Sequence, residues 1–224
     1  MTPKAFGWFY LHVASGLKVL DVGASRTGTQ SMTTAMEILG YKGLHSGYDE
    51  AGGLREPSCN YLFNNGSLEE AFATFDGYDF AADTPYFLLY EEVMNRFPDS
   101  KFILTPKDPE DWFNSHVKLL FSCMPTCAED YRKKEEDLGV CFRALFWGCD
   151  FLNPTDLEAK AICQENFQRH NEHVQRVIPP ERLLIYNFSD GWASLSHFLN
   201  APIPEVEFPH TDTELANGYA LRIA

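Results

Sequence analysis

The sequence predicts a single three-layer α/β domain, with a central parallel sheet flanked by helices. Three observations carry this. Short runs rich in branched and apolar residues recur along the 224 residues, three of them closed by Gly23, Asp83 and the turn at Pro106. Segments of helical periodicity separate them, so successive strands are joined by crossovers and run parallel. No repeat, low-complexity tract or linker divides the chain, and its length suits one domain with long connections. The domain core spans about residues 17–212, and residues 1–16 form an apolar extension expected to pack on the sheet.

The elements follow in order. Leu17–Gly23 alternates and reads as a strand broken by Gly23. From Thr29 to Leu39 the apolar residues Met32, Ala35, Met36 and Leu39 form one stripe, and Gly40 stands in the helix-stop position. Tyr41–His45 is a short second strand. Ser46–Asn65, rich in Gly, Asn and Pro, reads as a long loop able to overlie a site. Ser67–Phe75 is a helix with Ser67 as cap and Glu70 three residues on. Tyr78–Ala82 is a third strand ending at Asp83. Pro85 then lies near the first turn of a helix that runs to about Phe97. Lys101–Thr105 is a fourth strand, and Asp108 caps the helix through Leu120. Pro125–Gly148 and Pro154–Val177 read as helices. Arg182–Tyr186 is a fifth strand, Trp192–Leu199 a short helix closed by Asn200, and the tail from Ala201 is extended.

The net charge is −14, which argues against nucleic acid, where phosphate contacts dominate affinity. A small anion can still bind where backbone N–H groups and a few cations converge. No apolar stretch approaches the roughly 20 residues of a membrane span, and the N-terminus lacks the basic region and cleavage site of a signal peptide. The six cysteines form no metal-binding spacing, and reduced, buried thiols in a cytoplasmic protein are the expectation. Cys123 and Cys127 are the one pair spaced for redox chemistry. His170 and His173 lie on a charged helix and read as solvated. Trp112, Phe113, Trp147 and Trp192 read as core.

The strongest signal is Gly23-Ala24-Ser25-Arg26-Thr27-Gly28-Thr29-Gln30-Ser31, between a strand and a helix. Glycines let backbone approach a ligand closely. The free N–H groups and dipole of the helix start favour an anion. Thr27, Thr29 and Ser31 add hydroxyls, and Arg26 adds a cation. Gly23-x-x-x-x-Gly28 matches the first part of a P-loop, but Thr29-Gln30 stands where Lys-Ser/Thr would complete it. ATP hydrolysis is therefore disfavoured. A second constellation is Lys107, at the C-terminal end of a strand, with Ser115 two turns into the next helix. Ligands of α/β sheets gather at such strand ends. A cation and a hydroxyl there can grip one phosphate.

Together these blocks resemble the P-loop-type sulfotransferases, in particular their compact fungal and microbial branch. Val19–Ser31 resembles the 5′-phosphosulfate loop, Asp99–Ser115 the 3′-phosphate block, and Leu183–His210 the closing block with Asp190-Gly191-Trp192 and Phe208-Pro209-His210. With Asp83-Thr84-Pro85 between them, the likeness spans most of residues 17–212. It implies the P-loop topology and transfer of a sulfuryl group from 3′-phosphoadenosine 5′-phosphosulfate (PAPS) to a hydroxyl or amine of a small-molecule acceptor, with no metal. It implies that Ser25, Arg26, Thr27, Gly28, Thr29, Gln30 and Ser31 hold the 5′-phosphosulfate, Lys107 and Ser115 the 3′-phosphate, and Tyr186 lies near the adenine. Ser25 replaces the usual Pro, Gln30 a Thr, and Lys107 an Arg, which keeps charge but loses the bidentate fork. Those departures leave open a non-catalytic nucleotide-binding or interaction protein on the same fold. Oligomeric state is open, a homodimer included.

Sulfuryl transfer builds charge that Arg26 and the loop amides are placed to stabilise, and a base takes the acceptor's proton. Asp83, ending the third strand, and His45, ending the second, are the candidates. Asp83 can equally cap the following helix, and His45 can be a packed histidine.

Overall fold

Five short strands form one sheet in the order β2-β3-β1-β4-β5, every adjacent pair parallel. The computed structural model describes residues 16–45, 55–122, 147, 149–151 and 153–211. The strands are β1 (Val19–Asp21), β2 (Gly43–His45), β3 (Phe80–Ala82), β4 (Lys101–Leu104) and β5 (Leu183–Ile185). Among the described residues, the α-helices are α1 (Thr29–Ile38), α2 (Glu56–Phe63), α3 (Leu68–Ala73), α4 (Tyr90–Arg96), α5 (Pro109–Ser122), α6 (Leu157–Val177) and α7 (Gly191–Leu199).

Successive strand residues point to opposite faces, and each face has its own core. Leu20, Ala81, Phe102 and Leu104 cluster with Phe72 of α3, Val93 of α4 and Val174 of α6. Val19, Phe80, Ala82 and Ile103 cluster with Met32, Ala35 and Met36 of α1 and Trp192 and Leu195 of α7. The result is three layers. A third cluster of Ala24, Trp112, Phe113, Phe151 and Phe167 joins α5 to α6 beside the first loop.

Capping follows the sequence. Ser67 Oγ accepts from the Glu70 N–H at 3.4 Å. Asp108 Oδ1 accepts from Glu110 and Asp111 at 2.9 and 3.1 Å, and Asp156 caps α6 in the same way. Asn200 closes α7 at φ 54°, the left-handed conformation asparagine tolerates.

Four expectations are corrected. Ser46–Asn65 is not one loop: Glu56–Phe63 is helical because Pro57 stands in its first turn, where no N–H is needed, and Ser58 and Cys59 are buried. The helix after Pro85 is interrupted, because Tyr86 joins one core cluster and its neighbour Phe87 another. A 3₁₀ turn at Tyr86–Leu88 makes that switch before α4 begins. His170 is buried, not solvated. Cys149 and Cys163 are joined as a disulfide, their Cα atoms 5.2 Å apart, a separation within the bonding range. No described cysteine is free, so reduced thiols are not what the structure presents. Trp112, Phe113 and Trp192 are core residues as expected. The apolar extension before Gly16, most of Pro125–Gly148, and Cys123, Cys127 and Cys141 lie outside the described residues. Among the described residues, no helix is long and apolar enough to cross a membrane.

β1 occupies the middle of the sheet, and the chain leaves it for β2 on one side and later returns to β4 on the other. The loop after β1 therefore opens at the point where strand order reverses, the crevice in which such sheets bind ligands.

Candidate active site

Three strand ends meet at this crevice. In register, His45 of β2 lies opposite Ala82 of β3, so Asp83 emerges beside it. Asp21 of β1 lies opposite Ile103 of β4, which brings the loop after β1 next to Thr105 and the residues that follow.

The loop folds on its own hydroxyls. Thr27 Oγ1 donates to the Ala24 carbonyl at 2.8 Å and lies 2.7 Å from Thr105 Oγ1. Asp21 Oδ1 accepts the Gly23 N–H at 2.9 Å. A Cβ on Gly23 would sit 2.2 Å from Thr105 Oγ1 and 2.7 Å from Thr27 Oγ1, so only glycine fits. Gly28 is left-handed at φ 101° and caps α1; a Cβ there would meet the Phe188 ring at 2.4 Å. Trp112 fixes the loop from behind, donating Nε1–H to the Ser25 carbonyl at 3.0 Å while its ring stacks on Phe167. The N-terminus of α1, with Thr29, Gln30 and Ser31 in its first turn, faces the crevice. Thr29 and Ser31 are buried and Gln30 is half-buried. Ser31 Oγ accepts the Thr211 N–H at 3.0 Å, so the extended segment after α7 passes over this turn.

The cations converge on the same loop. Arg26 Nε donates to Ser115 Oγ at 3.2 Å, and Lys107 Nζ donates to the Arg26 carbonyl at 3.1 Å. The loop after β1 and the Lys107–Ser115 segment, distant in sequence, are thus one cluster.

On the other side, Asp83 is held by three groups. Ser25 Oγ donates to its Oδ1, the Thr84 N–H donates to the same oxygen at 2.8 Å, and His45 Nε2 lies 3.3 Å from Oδ2. His45 Nε2 is also 3.1 Å from Thr29 Oγ1. Burial pushes His45 below the usual imidazole value, with Asp83 opposing it, so the ring is poised neutral. Ser25, where proline is usual in the resembling family, supplies a hydroxyl that proline lacks. Arg26 and Asp83 both adopt positive φ, 72° and 73°. Non-glycine residues held there cost roughly 1–2 kcal/mol, and such strain clusters at functional sites.

Tyr186 is buried in the core on the α1–α7 side, its hydroxyl donating to the Gly191 carbonyl at 2.9 Å. Phe188, two residues on, is the aromatic at the loop, and sequence alone gave no reason to prefer it. Thr84, Thr105, Trp112 and Thr211 were also missed, because their roles arise from long-range contacts. Beneath the site, His170 Nε2 lies 2.8 Å from the Val22 carbonyl and pins α6 to the end of β1.

A sulfotransferase domain family matches residues 18–216 of this chain. The chain belongs to that family. A relative from Aspergillus versicolor, Ava biosynthesis cluster protein M, is 30% identical over 226 residues, covering 90% of this chain and 83% of its own length. A crystal structure of a sulfotransferase from Alicyclobacillus acidocaldarius is similar at 15% identity and TM-score 0.49, covering 85% of this chain and 83% of that one. In this sulfotransferase-family chain, no group of His, Cys, Asp or Glu suited to a metal ion occurs among the described residues.

Proposed function

We propose that this protein transfers the sulfuryl group of PAPS to a hydroxyl or amine of a small-molecule acceptor. The observation that carries the reading is the convergence of Arg26, Lys107 and Ser115 on one loop at a helix N-terminus. A ligand with two separate anionic groups suits that arrangement. Family membership supports a transferase, and the biosynthesis-cluster name of the Aspergillus relative supports a small-molecule acceptor.

In this reading the residues Ser25–Ser31 hold the 5′-phosphosulfate through backbone amides and hydroxyls, and Lys107 and Ser115 hold the 3′-phosphate. Arg26 meets the charge that grows on the sulfuryl and bridging oxygens. His45, neutral at rest, is the base that takes the acceptor's proton. Asp83 Oδ2, 3.3 Å from its Nε2, then stabilises the imidazolium, as an orienting carboxylate does in other acid–base pairs. Phe188, at the loop, is better placed than Tyr186 to border the nucleotide.

Titration calorimetry with 3′-phosphoadenosine 5′-phosphate against ADP tests the donor half. Tighter binding of the former supports the two-phosphate site, and equal affinity sinks it. Turnover of labelled PAPS over a panel of hydroxyl and amine acceptors tests the transfer half. Tight binding with no transfer to any acceptor would point to a nucleotide-binding protein that lacks catalysis.

A further inference from the structure

Asp21 is a buried carboxyl directly under the phosphate loop, and the roles above do not use it. It is fully buried at the end of β1. Oδ1 accepts the Gly23 N–H at 2.9 Å, while Oδ2 has no hydrogen-bond partner among the described residues. The described elements around it present no compensating charge. β3 presents Asp83, a second acid; β4 continues into the neutral Thr105; α6 presents His170, which bonds to the Val22 carbonyl next door. The loop's own cation, Arg26, points to Ser115. A buried carboxylate without a positive partner is costly, and a carboxylic acid in the same place is not.

We propose that Asp21 is a positioning residue that holds the Gly23 turn as a neutral carboxylic acid, so that binding of the anionic donor takes up a proton from solvent when Asp21 is ionised. The proposal rests on the donor reading given above. Its logic is Coulombic. An ionised Asp21 would put a negative charge beneath the amides that must receive the donor's phosphosulfate. The donor therefore favours the protonated loop, and protonation favours the donor. No bond other than O–H changes. Desolvation, with Asp83 adding to it, pushes the Asp21 carboxyl up to about 8, so the linkage falls in an accessible range.

The test uses the intact protein with 3′-phosphoadenosine 5′-phosphate as probe. Calorimetry at pH 8 in buffers of different ionisation enthalpy reads proton uptake on binding. Wild-type protein should take up a sizeable fraction of a proton, and Asp21→Asn, which keeps the acceptor for Gly23 N–H, should take up measurably less. Between pH 8 and 9 wild-type affinity should fall by up to about tenfold more than that of the variant. A second measurement needs no ligand. The folded chain keeps the Asp21 proton to a higher pH than the unfolded chain, so the melting temperature of Asp21→Asn relative to wild type should climb as pH rises from about 4 to about 8 and then level.

Uptake that is equal in the two proteins, or a melting-temperature difference flat with pH, overturns the proposal while leaving the donor reading intact. Absence of nucleotide binding by wild-type protein at every pH overturns the donor reading itself, and the proposal with it. Should the variant fail to fold, wild-type proton uptake still decides: none at pH 8 overturns the proposal.

Discussion

His45 Nε2 lies 3.3 Å from Asp83 Oδ2, although two helices separate their strands along the chain. The pairing follows from the parallel register of β2 on β3, which brings both strand ends out at the same level. Thr29, in the first turn of α1, touches the same nitrogen. An imidazole, a carboxylate and the start of α1 therefore share one point.

Substitutions at this pair separate their roles. His45→Ala should lower kcat by about 10²–10⁴-fold, the usual cost of losing a general base. Asp83→Asn should fall by less, because the imidazole remains, and asparagine tolerates the positive φ at this position. Steady-state kinetics with PAPS at saturation reads both. If Asp83→Asn is the more damaged variant while His45→Ala keeps near-normal kcat, the assignments are reversed.

Lys107→Ala should weaken 3′-phosphoadenosine 5′-phosphate by about 1.5–3 kcal/mol, the range for a charged hydrogen bond. Because Lys107 also braces the Arg26 carbonyl, ADP should weaken too, but by less. A loss identical for both nucleotides would reduce Lys107 to a loop brace.

Gly28→Ala should destabilise the fold by more than about 1 kcal/mol, since alanine is strained at φ 101°. It should also weaken the nucleotide, because the Phe188 ring must move away. Adding Phe188→Ala should recover part of the stability by relieving the clash, and denaturant unfolding of both variants checks this. No recovery would mean that the backbone conformation alone sets the cost.

Burial lowers His170 to about 4 and His116 to about 3. Both are neutral in the fold, whereas in the unfolded chain they charge near 6.5. Each therefore contributes stability that is intact above about pH 6.5 and is lost as pH falls toward its folded value, by about 1.4 kcal/mol per pH unit. His170→Gln should show a shallower acid loss than wild type over that window. Asp21 acts in the opposite sense, so the comparison is variant against wild type at each pH. Parallel curves would show that His170 does not carry this linkage.

By itself, the sequence determined the alternation of strands and helices, the caps at Ser67, Asp108 and Asn200, and the Gly-rich turn between β1 and α1. These are local: a cap or a Gly-rich turn is written in residues within a few positions of one another. Lys107 and Ser115 were singled out because ligands of α/β sheets gather at strand ends, and the structure brings both against Arg26. Only the tertiary structure decided which groups meet. Sheet order put Thr105 against Thr27 and left Asp21 Oδ2 buried with no hydrogen-bond partner among the described residues. Register joined His45 to Asp83. The division of Tyr86 and Phe87 between two cores broke a helix that local pattern had made continuous. In the Tyr186–Phe188 stretch, packing gave the core to the first aromatic and the loop to the second. Contacts of this kind depend on long-range pairing of strands and helices, and no window of neighbouring residues encodes them.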